Sequence, residues 1–153
     1  MDFFSVGHNF GILERRSRAY ITAACAPWRI GYAEYIILRY LYDHEGVCQD
    51  EIAGHLFADK AQVARNVKTL EEKNYIVRCQ DDHDKRFKHI YLTPQGEVLR
   101  QPLQLLLDHW IARLTEGMDP GLVAKTIEGM KAAAKNATET PLEGLQAKEE
   151  VIK

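Results

Sequence analysis

The stretch from Asp81 to Gly96, DDHDKRFKHIYLTPQG, constrains this chain most. Its first six residues hold three Asp, one Lys and one Arg, too much charge for a core. Tyr75–Gln80 before it and Lys88–Leu92 within it alternate apolar and polar as strands do. They predict an antiparallel hairpin across a turn of about seven residues, 81–87. Upstream lies DKAQVARNVKTLEEKN, in which Val63, Val67 and Leu70 fall on one helical face. Asp59 is placed to cap that helix, with Gln62 three residues on as a capping-box partner. Asn74 follows the last turn, and Asn is the residue after Gly that best tolerates a left-handed C-terminal cap. A short amphipathic helix running into a charged hairpin leaves few architectures open.

The rest of the chain reads as helices around this pair. Phe3, Val6, Phe10, Leu13, Ser17, Tyr20 and Ala24 recur three and four apart, a narrow seam over residues 3–24 that needs a partner surface. Gly7 and Gly11 weaken its first turns, which allows a start nearer Phe10, and Pro27 ends it. Gly31 to His44 predicts a second helix stopped by Gly46, and Gln49 to Leu56 a third, with Ile52, Ala53 and Leu56 buried. Cys48 stands at its cap, where a thiol serves poorly. After the hairpin, Thr93 caps a fifth helix with Pro94 at its first position. Its apolar face is Leu99, Leu103, Leu106, Trp110 and Leu114, and Pro102 should kink it or delay its start. Asp119 and Pro120 open a sixth helix, with Val123, Ile127, Met130 and Ala134 on one side. Residues 138–153 are charged and weakly patterned, and read as a frayed tail.

Composition narrows the function classes. Hydrophobic residues make up 46% of 153, enough for one core. No apolar run approaches the roughly 18 residues needed to cross a bilayer. MDFFSVGHNFG has neither a basic start nor a following apolar run, so the expectation is no signal peptide and a cytoplasmic protein. Cys25, Cys48 and Cys79 form neither a disulfide framework nor a CxxC pair. Cys25 has no Lys, Arg or His within three residues, so it reads as a packing residue rather than an oxidation sensor. Cys79, His83 and His89 lack zinc spacing, and Asp82 and Asp84 lack the Gly and final Glu of a calcium loop. No metal or cofactor is expected. Without a phosphate-cradling Gly loop or a nucleophile motif, no catalysis is expected either.

Charge points to a different partner. The net charge is −2, but residues 60–89 hold eight Lys/Arg against five Asp/Glu, leaving −5 for the remainder. The positive excess falls on the amphipathic helix and the hairpin, which together have the pattern of a winged helix-turn-helix. The fold expected is mainly α with a small β-hairpin wing, and the seam over residues 3–24 would pack on the chain's own C-terminal helices or on a second subunit.

The chain resembles the MarR family (multiple antibiotic resistance regulators), bacterial dimeric winged-helix transcription factors. The resemblance runs from Phe10 to Ala137 and rests on QDEIAGHL, DKAQVARNVKTLEEKNYIVR, DDHDKR and IYLTPQG in that order. It implies a helical dimerisation region beside the winged helix-turn-helix, with residues 1–30 as a dimerisation helix, 31–93 as the winged helix-turn-helix and 94–137 as C-terminal dimerisation helices. The resulting two-fold homodimer would sit on a pseudo-palindromic operator of double-stranded DNA, with the fourth helix in the major groove and the wing at the minor groove. Asp84 and Arg86 match the family's Asp-x-Arg, which makes Arg86 the minor-groove residue and Asp84 the carboxylate that orients it. On the fourth helix, Lys60, Ala61, Gln62, Arg65 and Lys68 lie on the outward face, and Lys85 joins Arg86 in the wing. Arg65 is expected in the groove, Lys68 and Lys60 at phosphates, and Gln62 either at an adenine or in the capping box. Ala61 departs from the hydroxyl residue that relatives often carry there.

Tyr20, Trp28, Tyr32 and Tyr35 cluster at the junction of the dimerisation and DNA-reading parts, where the family often binds small phenolic or anionic ligands. Arg16 or Arg29 would pair with a carboxylate in such a pocket. Aromatics at this spacing also make ordinary core. The function expected is a dimeric DNA-binding regulator, a repressor released by a small ligand. The alternative is a winged-helix protein-interaction module without DNA binding, suggested by the acidic wing and Ala61.

Overall fold

The computed structural model describes residues 2–141. The described residues divide into two compact units, one up to Leu114 and the other from Thr115. The first holds α1 (Phe3–Ala24), a 3-10 turn (Ala26–Trp28), α2 (Tyr32–Leu41), α3 (Gln49–Leu56) and α4 (Lys60–Glu72). It continues through β1 (Ile76–Gln80), β2 (Lys88–Leu92), α5 (Pro94–Val98) and α6 (Arg100–Leu114). The second holds α7 (Pro120–Glu139).

Local chemistry sets these boundaries. Asp2 accepts the Ser5 N–H at 3.1 Å, so α1 starts at Phe3 despite Gly7 and Gly11. Helix α2 stops at Leu41, three residues short of the His44 expected from the pattern. There Asp43 and His44 donate to Tyr40 and Leu41, three residues back, and tighten the turn. Gly46, at φ 78, then redirects the chain. That redirection lets Val47 bridge Ile90 of β2, a pairing the sequence did not suggest. Cys48 contributes no side-chain cap to α3, and Glu51 takes the Cys48 N–H at 2.7 Å instead.

Asp59 caps α4 by accepting the Gln62 N–H at 2.8 Å. The reciprocal bond expected from Gln62 does not form; its Oε1 accepts from Arg65 at 2.8 Å and its Nε2 donates to Asn66 at 3.4 Å. The other end closes on Asn74 at φ 61, with Tyr75 donating to Leu70 and Asn74 to Glu71. The hairpin pairs Ile76 with Leu92, Arg78 with Ile90 and Gln80 with Lys88.

The long fifth helix is split. Helix α5 ends at Val98 and α6 begins at Arg100. Pro102 has no N–H for the Val98 carbonyl, and its ring would strike that group in a continuous helix. Gly96 is required where α5 crosses the hairpin: an added Cβ would sit 2.0 Å from the Tyr75 carbonyl oxygen.

One apolar cluster holds the first unit together. Leu38 and Leu41 of α2, Ile52 of α3, Val67 and Leu70 of α4, Ile90 of β2 and Leu103 of α6 are fully buried. Leu56 is only half-buried. The α1 seam is divided. Tyr20 stacks on Trp110 with ring centroids 4.5 Å apart, and Trp110 donates to Ser17 at 2.8 Å. Val6, Phe10 and Leu13 stay exposed at 42, 51 and 38%. In the second unit, Asp119 caps α7 through the N–H groups of Gly121 and Leu122. Leu122, Ile127 and Met130 of α7 are exposed. The reading of the tail lies outside the described residues from 142 on, and α7 runs through its first two positions.

Candidate nucleic-acid interface

Burying Val63, Val67 and Leu70 forces the opposite face of α4 into solvent. Lys60, Ala61, Gln62, Arg65 and Lys68 are all exposed there. Lys60 pairs with Asp50 at 3.1 Å and Lys68 with Glu72 at 3.8 Å. Both pairs are solvated, so exchanging the carboxylate for a phosphate costs little. Arg65 and Gln62 are bonded side by side, and these two residue types match guanine and adenine edges.

The wing is an ordered turn. Asp81 Oδ1 accepts the N–H groups of His83 and Asp84, at 2.8 and 2.7 Å. Gln80 donates to the Lys85 carbonyl at 2.7 Å. Asp84 then holds Arg86 three ways: its Oδ1 accepts the backbone N–H and Nε, each at 3.0 Å, and its Oδ2 accepts Nη2 at 2.8 Å. The Arg86 side chain is still 86% exposed, against 34% for Asp84. The guanidinium lowers the Asp84 carboxyl below its usual range. A cation fixed by its neighbour yet open to solvent loses little freedom on meeting a narrow, electronegative groove. Lys85 and Lys88 form no ion pair with the described residues.

Two cations counted in the positive segment face inward. Lys73 donates to both oxygens of Glu34, at 2.7 and 2.9 Å, and to the Arg29 carbonyl. Arg78 binds Glu71 through Nε at 3.0 Å and also through Nη2. That contact lowers the Glu71 carboxyl and raises the guanidinium.

A cleft of about 240 Å³ opens between the wing and the start of α3. Arg78, Arg86 and Lys88 line it, with Cys48, Gln49, Asp50 and Phe87. The sequence reading missed Lys88 and Gln49. Only the hairpin register and the Val47–Ile90 bridge bring these residues together, and neither leaves a local signal.

The junction residues are partly brought together. Tyr20, Trp28 and Tyr32 pack at the edge of the core and Tyr35 lies within it, 2% exposed. The Tyr35 hydroxyl is buried with no hydrogen-bond partner, and burial pushes its pKa up to about 12. Arg18, rather than Arg16 or Arg29, stands over the Tyr32 ring, 4.6 Å from its centroid. Arg16 and Arg29 are exposed. The second described cavity, about 410 Å³ between Arg39, Tyr42 and Arg100, lies away from these aromatics.

Cys25 is fully buried, and desolvation raises its thiol to about 11, as a packing residue requires. Both nitrogens of His89 are engaged, by Asp81 and Gly46, so Cys79, His83 and His89 offer no open ligand set. Among the described residues, no group of three His, Cys, Asp or Glu side chains could hold a metal ion. No described helix is long and apolar enough to cross a membrane.

A helix-turn-helix whose second helix shows a polar face beside an Arg-bearing hairpin defines the class: a winged helix-turn-helix. Residues 30–86 match the MarR family model, and the relatives and structural neighbours this chain resembles are helix-turn-helix regulators, several of them of the MarR family. It is 30% identical over 112 residues to the HTH-type transcriptional regulator TtmR of Methylorubrum extorquens, covering 73% of this chain and 53% of that protein. The chain thus spans about half the length of the curated relatives it matches. A MarR transcriptional regulator from Methanosarcina mazei Go1 superposes with a TM-score of 0.84 at 24% identity, over 88% of this chain and 96% of that one. A MarR-family regulator from Listeria monocytogenes, solved with 26mer DNA, superposes at 0.81 with 17% identity, over 86 and 88%. At these identities the structures share the fold.

Proposed function

We propose that this protein is a homodimeric, cytoplasmic transcriptional regulator that binds a pseudo-palindromic DNA operator. The observation that carries the reading is Arg86, fixed by Asp84 at the tip of an ordered wing and 86% exposed. Arg86, with Lys85, enters the minor groove. Arg65 and Gln62 face bases in the major groove beside Ala61, while Lys60 and Lys68 exchange their carboxylates for phosphates. The complex of the Listeria relative with DNA supports this use of the fold. Exposed Val6, Phe10 and Leu13 of α1, and Leu122, Ile127 and Met130 of α7, supply apolar surface for a second copy. Residues 1–30 and 94–137 then serve dimerisation, and 31–93 DNA.

Repression would be relieved by a small phenolic or anionic ligand at Tyr20, Trp28, Tyr32 and Tyr35, with Arg16 or Arg29 able to meet a carboxylate. The unpartnered Tyr35 hydroxyl supports a polar ligand there. Lys73 and Tyr75 bond the carbonyls of Arg29 and Trp28, which ties this junction to the end of α4. A ligand that favours one spacing of the two recognition helices shifts the dimer by its differential affinity.

The test is fluorescence anisotropy with labelled DNA from the gene's own upstream region, against a scrambled duplex, at two salt concentrations. Tighter binding to the native sequence, weakened by salt, is the expected result. Equal, negligible binding to both duplexes, with a protein partner recovered instead, would replace this reading by the protein-interaction module.

A further inference from the structure

His89, on β2, joins the root of the wing to the body of the domain. Its Nδ1 lies 2.8 Å from the Gly46 carbonyl oxygen and its Nε2 lies 2.7 Å from Asp81 Oδ2. Both neighbours are acceptors only. A neutral imidazole has one N–H and can satisfy one of them, whereas the imidazolium satisfies both. Gly46 is itself anchored, since its N–H donates to the Ile90 carbonyl at 2.8 Å. On the other side, Asp81 Oδ1 receives the His83 and Asp84 N–H groups, and Asp84 holds Arg86. One chain of hydrogen bonds therefore runs from the α2–α3 loop, through the imidazole, to the exposed guanidinium.

We propose that His89, as the imidazolium, is the positioning residue that latches the wing to the α2–α3 loop and thereby fixes where Arg86 is presented to DNA. Only the last step rests on the DNA-binding reading, because the latch belongs to the free protein. Asp81 faces the imidazole from the wing and Glu51 from the first turn of α3, and both charges favour the protonated ring. Cys79 pairs with it across the hairpin, and Lys88 precedes it on its own strand. The Asp81 bond, then the Gly46 bond, raises His89 above its ordinary 6.5. A raised value means that the latch is complete below about 6.5 and is lost as pH rises through the folded value. On the acid side it lasts until Asp81, lowered to about 2 by the wing amides and His89, is protonated.

Two readouts on one labelled sample test this. Histidine side-chain NMR from pH 5.5 to 9, with His89 assigned by its absence in His89→Gln, should find both ring nitrogens protonated and a titration above 6.5. Hydrogen-exchange protection at the His83 and Asp84 amides should fall along that titration in the wild type, and be low at every pH in His89→Gln. Operator affinity should drop about five-fold more in the wild type than in His89→Gln as pH rises, the size of one hydrogen bond. Titration at or below 6.5 with unchanged wing amides overturns the latch. So does wing protection in Asp81→Asn equal to the wild type's, a second variant that stands if His89→Gln fails to fold. A protein with a latched, titrating wing that binds no duplex would keep the latch and overturn the DNA reading.

Discussion

Two cation–carboxylate contacts in this molecule share their chemistry and differ in use. Lys73 and Glu34 meet at 2.7 Å with side chains 26 and 9% exposed, inside the junction of α2 and α4. Arg86 and Asp84 meet at 2.8 Å with side chains 86 and 34% exposed, at the tip of the wing. The first pair neutralises a charge that the fold has withdrawn from water. The second leaves the charge in water and takes away only its freedom. A buried carboxylate needs its partner to exist in the folded state at all, whereas an exposed one aims a cation that would be stable alone. The same residue types therefore report on stability in one place and, in the proposed DNA complex, on binding in the other.

Removing one member of the inner pair is the strongest way to break this contrast. Glu34→Ala leaves the Lys73 ammonium with the Arg29 carbonyl alone and should cost about 3 kcal/mol of unfolding free energy in urea. Replacing both residues by apolar ones of similar volume should recover most of that loss. If Glu34→Ala unfolds at the wild-type urea concentration, the inner pair is no more structural than a surface contact.

Arg86→Ala should do the reverse. DNA affinity falls about ten-fold or more, from a loss of roughly 1–3 kcal/mol, and the salt slope decreases by about one. The unfolding midpoint should stay where it is, because exposed pairs contribute little to stability. Equal losses in stability and binding would make the wing a structural element rather than a reader.

A smaller effect is expected for Lys68→Ala. It should weaken native and scrambled duplexes alike, by about three-fold, since a phosphate contact carries no sequence information. Discrimination between the duplexes would assign Lys68 to a base instead.

Acid should sharpen the contrast with the smallest signal. Arg78 lowers Glu71, Arg86 lowers Asp84, and the wing amides with His89 lower Asp81 to about 2. Depressed carboxyls contribute stability above their unfolded values near 4 and lose it as pH falls through the folded ones. The urea midpoint should therefore decline from about pH 4 downward. Asp81→Asn should flatten that decline, and a parallel decline in the variant would remove Asp81 from the account.

Local chemistry was legible in the sequence. Asp59, Asn74, Thr93 and Pro102 act at the backbone of their own turn, so the ends of α4, the start of α5 and the break before α6 could be read directly. The outward face of α4 followed from the period of Val63, Val67 and Leu70. The Asp84–Arg86 contact spans two residues and needs no distant help. Gln62 shows where such reading stops, because its side chain bonds Arg65 and Asn66, equally local, and not the cap.

Contacts between elements were decided only in three dimensions. Nothing near Lys73 or Arg78 in the chain distinguishes them from Arg65 or Lys68, yet two face carboxylates inside the module and two face solvent. Lys88 joins Arg78 and Arg86 in one cleft through the hairpin register, and His89 reaches Gly46 across 43 residues. Sequence period tells which side of a helix or strand faces water. Which charge meets a partner there depends on packing by elements far away along the chain, and those distances exist only once the core has closed.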